Sequence, residues 1–376
     1  MITRGTNAQQ AAWQYGGATN IFSTICSLIS FSSSRRITPS NRVNNELLVI
    51  NLAAVTGGRF SNTATSPSRV RCTPLKTDLM FKNTFIISLF LIISFQSTSQ
   101  TSFSRDPDST IFLTKDIINF WKAFDDFEKD SSVNPFDKEY IHIGSAGVKG
   151  FIPNRIQDAE NLLKTVKQRK GDYQKVRENT LRIKEKEKQC RSTFYALKYW
   201  YPEAQFPPVY FVIGAYNSGG TFSESGIFVG AEMQTDINNI PYIVAHELIH
   251  FQQKNWSENP TLLQQSIVEG SADFLGELIS GVNTNKVAND YGNKNENSLC
   301  KEFIARMDSV NYTDWMYSVS AKDDRPKDLG YWMGYKITEQ YFKKAVDKKQ
   351  AIKEIFDIKD YKAFLNKSGY LKKYMK

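Results

Sequence analysis

Two histidines four residues apart, His246 and His250 in the run AHELIHFQQ, constrain this 376-residue chain more than any other feature. The chain has only three histidines. At that frequency a chance HExxH arises on the order of a few times in a thousand such chains. A helix starting near Pro241 brings Ile240, Val244, Leu248 and Phe251 to one apolar face and turns His246, Glu247 and His250 the other way. Two imidazoles one turn apart can hold a single zinc ion. Glu247 cannot reach the ion in the same geometry, but it lies beside the open coordination position. There a carboxylate can take a proton from water that the ion has acidified.

A catalytic zinc needs a third protein ligand, here a carboxylate or thiolate unless His142 returns from a distant part of the chain. His142, in EYIHIG, reads most simply as a structural or surface histidine. The next helix offers Glu269, in IVEGSADFLGELIS, with Asn259-Pro260 as its start signal and Gly281 as its stop. The interval from His250 leaves room for a loop and an antiparallel return. Gly270 and Ala272 are small enough for close helix approach. Asp273 lies one turn beyond Glu269 on the same face, where it can accept the far N–H of a ligating imidazole and fix its tautomer. Glu277 extends that face, either as a residue supporting a ligand from behind or as a structural one.

HELIH followed by EGSAD resembles the gluzincin class of zinc metallopeptidases, which carry HExxH, a linker, then Glu with Asp four residues later. The resemblance implies zinc held by His246, His250 and Glu269, Glu247 as general base, and Asp273 orienting a ligand histidine. It implies a zincin-like fold. The wider series GSAGVKGF, NSGGT, HELIH, EGSADF and GYWMGY is similar to a bacterial family of predicted Zn-dependent proteases. Gluzincins usually stabilise the oxyanion with a tyrosine, which points to Tyr331, with Tyr335 in reserve. The strand GIFVGAEM occupies the place of the class's substrate-aligning edge strand. Its Gly230-Ala231-Glu232-Met233 departs in order and position from the amine-anchoring box of zinc aminopeptidases, so an exopeptidase reading is weak.

The expectation is therefore a zinc-dependent peptidase acting on peptide or protein substrates. The alternative is a non-enzymatic zincin-like module of a cell-envelope assembly.

The net charge of +9 does not point to nucleic acid. Residues 1–99 hold nine Lys/Arg against Glu46 and Asp78, whereas residues 100–376 are almost balanced. Between Lys164 and Arg191 basic residues dominate, but Tyr173 is the one aromatic within the run. A solvated helix face explains it.

From Met80 the chain reads MFKNTFIISLFLIISFQSTSQ, a secretory signal peptide in layout over residues 80–99, with cleavage expected before Gln100. Its apolar run from Phe85 to Phe95 is too short to span a hydrocarbon core of roughly 30 Å. Residues 1–79 then read as a mispredicted extension or a disordered leader. The product is expected to be exported, periplasmic or secreted, without a stable membrane span. Of four cysteines, Cys190 and Cys300 remain downstream, and spacing does not decide whether they pair.

Residues 100–376 are expected to form the peptidase domain, helical over about 115–205, with a small sheet and the zinc-site helices over about 206–376. Lys115–Lys129 places Ile118, Phe120, Trp121, Phe124 and Phe127 at helical spacing. A charged helical region between Asn154 and Tyr201 is broken at Gly171. VYFVIGAY (209–216) and SGIFVGAEM (225–233) read as two paired strands about a turn at 217–220. Helices, a small antiparallel or mixed sheet, then helices again make an α+β fold, mainly helical.

Overall fold

The structure, a computed structural model, describes residues 102–319 and 325–375. The readings for residues 1–79 and 80–99 lie outside them. A short strand β1 (Phe112–Leu113) leads into helix α1 (Lys115–Lys129). Ile117, Phe120, Trp121, Phe124 and Phe127 form its buried stripe. Ile118, expected on that stripe, is 56% exposed. It points roughly 120° away from the centre of the stripe, and Ile117 takes its place one turn before Phe120. The Phe120 ring meets Phe136, Tyr140 and Tyr173 at 5.3–5.4 Å between centroids. Burial of each such ring contributes about 1.5–3 kcal/mol.

Helix α2 (Ala146–Phe151) starts at Ser145, whose hydroxyl accepts from the Gly147 N–H at 2.9 Å. Helix α3 (Ala159–Leu181) and helix α4 (Glu187–Trp200) follow. Gly171 does not break α3. The kink falls at Arg169 (φ −120°, ψ 24°), whose guanidinium lies 4.0 Å from the Tyr216 ring centre and pairs with Asp172. A mid-helix glycine permits a break without forcing one, whereas tertiary contacts hold Arg169. The basic face of this region is paired with acids, as in Arg177–Asp125 and Arg182–Glu185.

Strands β2 (Val209–Val212), β3 (Gly220–Ser223) and β4 (Gly226–Gly230) join β1 in a sheet of order β1-β2-β4-β3. β2 pairs with β1 and β4 in parallel, and β3 pairs with β4 antiparallel. The two apolar runs are thus parallel neighbours, and the hairpin is β3–β4. Part of the expected turn is strand, since Gly220 pairs opposite Val229. β4, expected as the edge strand, is buried throughout and lies between β2 and β3, and β3 takes the edge. An unbroken apolar strand needs cover on both faces, and helix α2 and the helix over Ile240–Gln252 both pack on β4.

Helix α5 (Ile240–Gln252) packs on β3 and β4. Its polar side is not turned to solvent: Glu247 and His250 are as buried as Val244 and Leu248, because helix α6 (Leu262–Ser280) covers that side. The start of α6 is set by Thr261, in a capping box with Gln264, rather than by Asn259-Pro260. Gly281 ends it in the left-handed conformation at φ 75°.

Helices α7 (Lys286–Lys294), α8 (Glu296–Arg306), α9 (Leu329–Lys344), α10 (Lys348–Phe356) and α11 (Tyr361–Ser368) complete the described chain. α6 and α9 approach closely, where Gly270 meets the Tyr335 amide and Gly334 meets the Ser266 carbonyl. Cys190 and Cys300 are buried free thiols, pushed up by burial to about 12 and about 11. No helix among the described residues is long and apolar enough to cross a membrane. Helices around one small mixed sheet make the α+β class.

Candidate metal centre

α5 and α6 bring three donor atoms to one point. His250 Nε2 lies 3.0 Å from His246 Nε2 and 3.1 Å from Glu269 Oε2, and His246 Nε2 lies 3.5 Å from the same oxygen. Among the described residues, these three form the cluster able to share a metal ion. Ligand bonds of about 2.0–2.1 Å at tetrahedral angles place donors about 3.3–3.4 Å apart, so the triad has the dimensions and chemistry of a zinc site.

Glu269 and His250 are fixed from behind. Glu269 Oε1 accepts from Gln265 Nε2 at 3.0 Å and from the Tyr317 hydroxyl at 3.2 Å, which leaves Oε2 to face the imidazoles. Gln253 ends α5 and places Oε1 2.7 Å from His250 Nδ1. Its amide nitrogen donates to Val268 O and Ser271 Oγ, both at 2.9 Å. With that nitrogen committed, Gln253 presents an acceptor, so His250 Nδ1 carries a proton and Nε2 is turned to the cluster. Asp273 Oδ1 lies 2.9 Å from His246 Nδ1, at an angle outside a well-formed hydrogen bond, and accepts from the Tyr242 hydroxyl at 2.7 Å.

The electrostatics favour positive charge at the meeting point. Burial alone would raise the Glu269 carboxyl, but the charges and hydrogen bonds of His250 and His246 outweigh it and hold it far below the usual range. Burial would lower His246, but Asp273 and Glu269 hold it well above its ordinary value. Burial raises Glu247, partly offset by the two histidines. The Glu247 carboxylate is buried against β3, where Gly220 has no Cβ to collide with it.

The structure therefore gathers His246, Glu247, His250, Glu269 and Asp273. Tyr331 flanks them, its ring 6.4 Å from that of His246 and nearly parallel to it at 19°. Tyr335 is turned away, packing on Phe274 at 5.4 Å. The glycines of α9 approach α6, the Glu269 helix, rather than α5. His142 is exposed and outside the cluster, and Glu277 bonds Asn283. Glu232 is buried under the turn at residues 214–216, where its Oε1 accepts the Tyr216 N–H at 3.2 Å.

Sequence reasoning missed Gln253, Gln265 and Tyr317. Gln265 stands one helical turn before Glu269 and was within reach of a spacing argument. Tyr317 comes from a loop with φ 64° and carries no periodic signal.

Residues 103–263 match the family model of gliding motility protein GldB. No curated protein and no solved structure gives a significant match. Residues 210–364, from β2 into α11, match a family described as a predicted Zn-dependent protease (DUF2268), and that span contains the whole triad, Glu247, Asp273, Tyr317 and Tyr331.

Proposed function

We propose that this chain is a zinc-dependent peptidase of the gluzincin type with a zincin-like fold. The convergence of His246 Nε2, His250 Nε2 and Glu269 Oε2 on one point beside a buried Glu247 carries the reading, and the match to a predicted Zn-dependent protease family supports it. These three residues hold the ion, which when bound supplies Lewis acidity toward water and a peptide carbonyl. Glu247 takes the proton from the attacking water and returns it to the leaving amine, a role suited to a carboxylate whose affinity for protons is raised by burial. Gln253 holds the His250 ring with Nε2 directed inward, and Asp273 stands 2.9 Å from His246 Nδ1. The Tyr331 hydroxyl serves the developing oxyanion. The outer edge of β3 is unpaired by any strand among the described residues and lies along α5, so an extended peptide adds to it as a further strand.

Glu247→Gln is expected to abolish peptide hydrolysis, at least about a hundredfold, while zinc content stays at one per chain. Cleavage at the parental rate, followed by mass spectrometry, sinks the mechanism. The second reading, a non-enzymatic envelope module, draws on the match of residues 103–263 to gliding motility protein GldB. One bound zinc without cleavage of any peptide in a mixed library would favour that module.

A further inference from the structure

We infer that Tyr317, itself held by Asp328, is a positioning residue that confines Glu269 to a single ligating oxygen, Oε2, so that this ligand fills one coordination position and no more. The inference deepens the proposed reading and rests on its metal site, not on its substrate. A carboxylate can grip an ion through one oxygen or through both, and a hydrolytic zinc must keep a position for water. At Glu269 the choice depends on what the other oxygen is doing.

Glu269 Oε1 accepts from Gln265 Nε2 at 3.0 Å and from the Tyr317 hydroxyl at 3.2 Å, and Gln265 Nε2 also donates to the Tyr317 oxygen at 2.9 Å. The protons of this triangle are fully assigned. The two N–H groups of the amide go to Glu269 and Tyr317, and the hydroxyl gives its own hydrogen to Oε1. Both bonds end on a buried carboxylate, where charge strengthens them. Turning Oε1 toward an ion would leave a donor unmet inside the protein.

The two donors are not equivalent. Gln265 stands on α6 one turn before Glu269 and shifts with it. Tyr317 comes from the segment between α8 and α9, and it is fixed independently. Its backbone N–H donates to Asp328 Oδ1 at 2.8 Å. Asp328 directly precedes α9 but its side chain caps no N–H of that helix, so its carboxylate is engaged with Tyr317 instead. Tyr317 at φ 64° and Asp328 at φ 67° both have left-handed backbone, which residues with side chains keep only where the surroundings impose it. Here Trp315 and Met316, just ahead of Tyr317, are fully buried, and the Gly330 N–H donates to Trp315 O at 2.7 Å.

The His250 side is anchored from a distance in the same manner. Beyond Gln253, the Lys254 N–H donates to Phe356 O at 2.8 Å and Asn255 Nδ2 donates to Asp357 Oδ1 at 2.8 Å. Each of these two ligands is thus oriented by a group that a remote part of the chain holds still.

The test compares zinc-loaded crystals of the parent, Tyr317→Phe, Asp328→Asn and Asp328→Gly. The visible band of the cobalt(II)-loaded proteins, which weakens as coordination number rises, serves as the measure in solution, and thermal unfolding of the metal-free chains confirms that each is folded. Asparagine keeps an acceptor for the Tyr317 N–H, whereas glycine removes it without adding backbone strain. In the parent and in Asp328→Asn, Oε2 alone should lie at a bonding distance of about 2.0–2.2 Å. In Tyr317→Phe and Asp328→Gly, Oε1 should move onto the ion and the cobalt band should weaken. A parent with both oxygens on the ion, or a Tyr317→Phe protein with Oε1 still off it, overturns the assignment. A parent that takes up no zinc removes the metal site beneath it. One-oxygen binding in a parent that cleaves no peptide leaves the assignment standing and sinks the peptidase reading alone.

Discussion

Gln253 determines which nitrogen of His250 is available, through an amide whose own nitrogen is spent on Val268 and Ser271. Gln253→Ala is expected to weaken zinc binding about 10–100-fold, the usual cost of losing a partner behind a ligand. Competition with a chromophoric chelator measures it, and unchanged affinity would show that His250 is oriented by something else. Glu232 makes a different prediction. Burial raises its carboxyl to about 7, against backbone N–H groups of Gly214, Glu232 and Tyr216 and the charge of Arg169 that favour ionisation. Tyr173 and Tyr216 also face it, and its Oε2 has no hydrogen-bond partner. An acid that binds its proton more tightly when folded contributes fully below its unfolded value of 4.5 and loses that contribution as pH climbs to about 7. The loss across that window is about 3 kcal/mol. Glu232→Gln should therefore gain on the parent by that order between pH 4.5 and pH 8 in urea unfolding; a constant gap contradicts the assignment. At this scale the triad was readable because helical spacing ties His246 to His250 and a short return brings Glu269 back. The groups behind it were not, because Tyr317 and Gln253 act through loop and cap geometry that leaves no period in the chain.

Helices carried their own punctuation. Gly281 marks the end of α6 in the sequence and in space, and the apolar period of α1 was legible to within one residue. The sheet was harder to read, since VYFV and IFVG report burial but not direction, and Gly220, the first residue of β3, reads as the end of a turn although it makes room for Glu247. The glycines of the α6–α9 pair test the packing directly. A methyl at Gly334 would drive into the Ser266 carbonyl, which α6 cannot move without shifting Glu269. Gly334→Ala should cost at least about 1–3 kcal/mol and lower zinc affinity together with the melting temperature. Gly171, by contrast, lies within α3 with open space around its Cβ position. Gly171→Ala should raise stability by about 0.5–1 kcal/mol, since alanine loses less freedom on entering a helix. Calorimetry on the pair decides both, and a destabilised Gly171→Ala would place the true hinge of α3 there instead of at Arg169.

Across the whole molecule, zinc would pin two helices, α5 and α6, that span the centre of the described chain. An ion that binds the folded but not the unfolded chain adds about 2.7 kcal/mol at a hundredfold excess over its dissociation constant. The melting temperature should therefore rise with zinc concentration and fall with a chelator, and a midpoint indifferent to zinc would remove the metal from the account. The tether from Lys254 and Asn255 to Phe356 and Asp357 also sets an order of events. As the chain leaves the ribosome, the histidines emerge about a hundred residues before the segment that steadies the loop beside them. The loop that follows the second histidine is thus steadied only after Phe356 and Asp357 have been made.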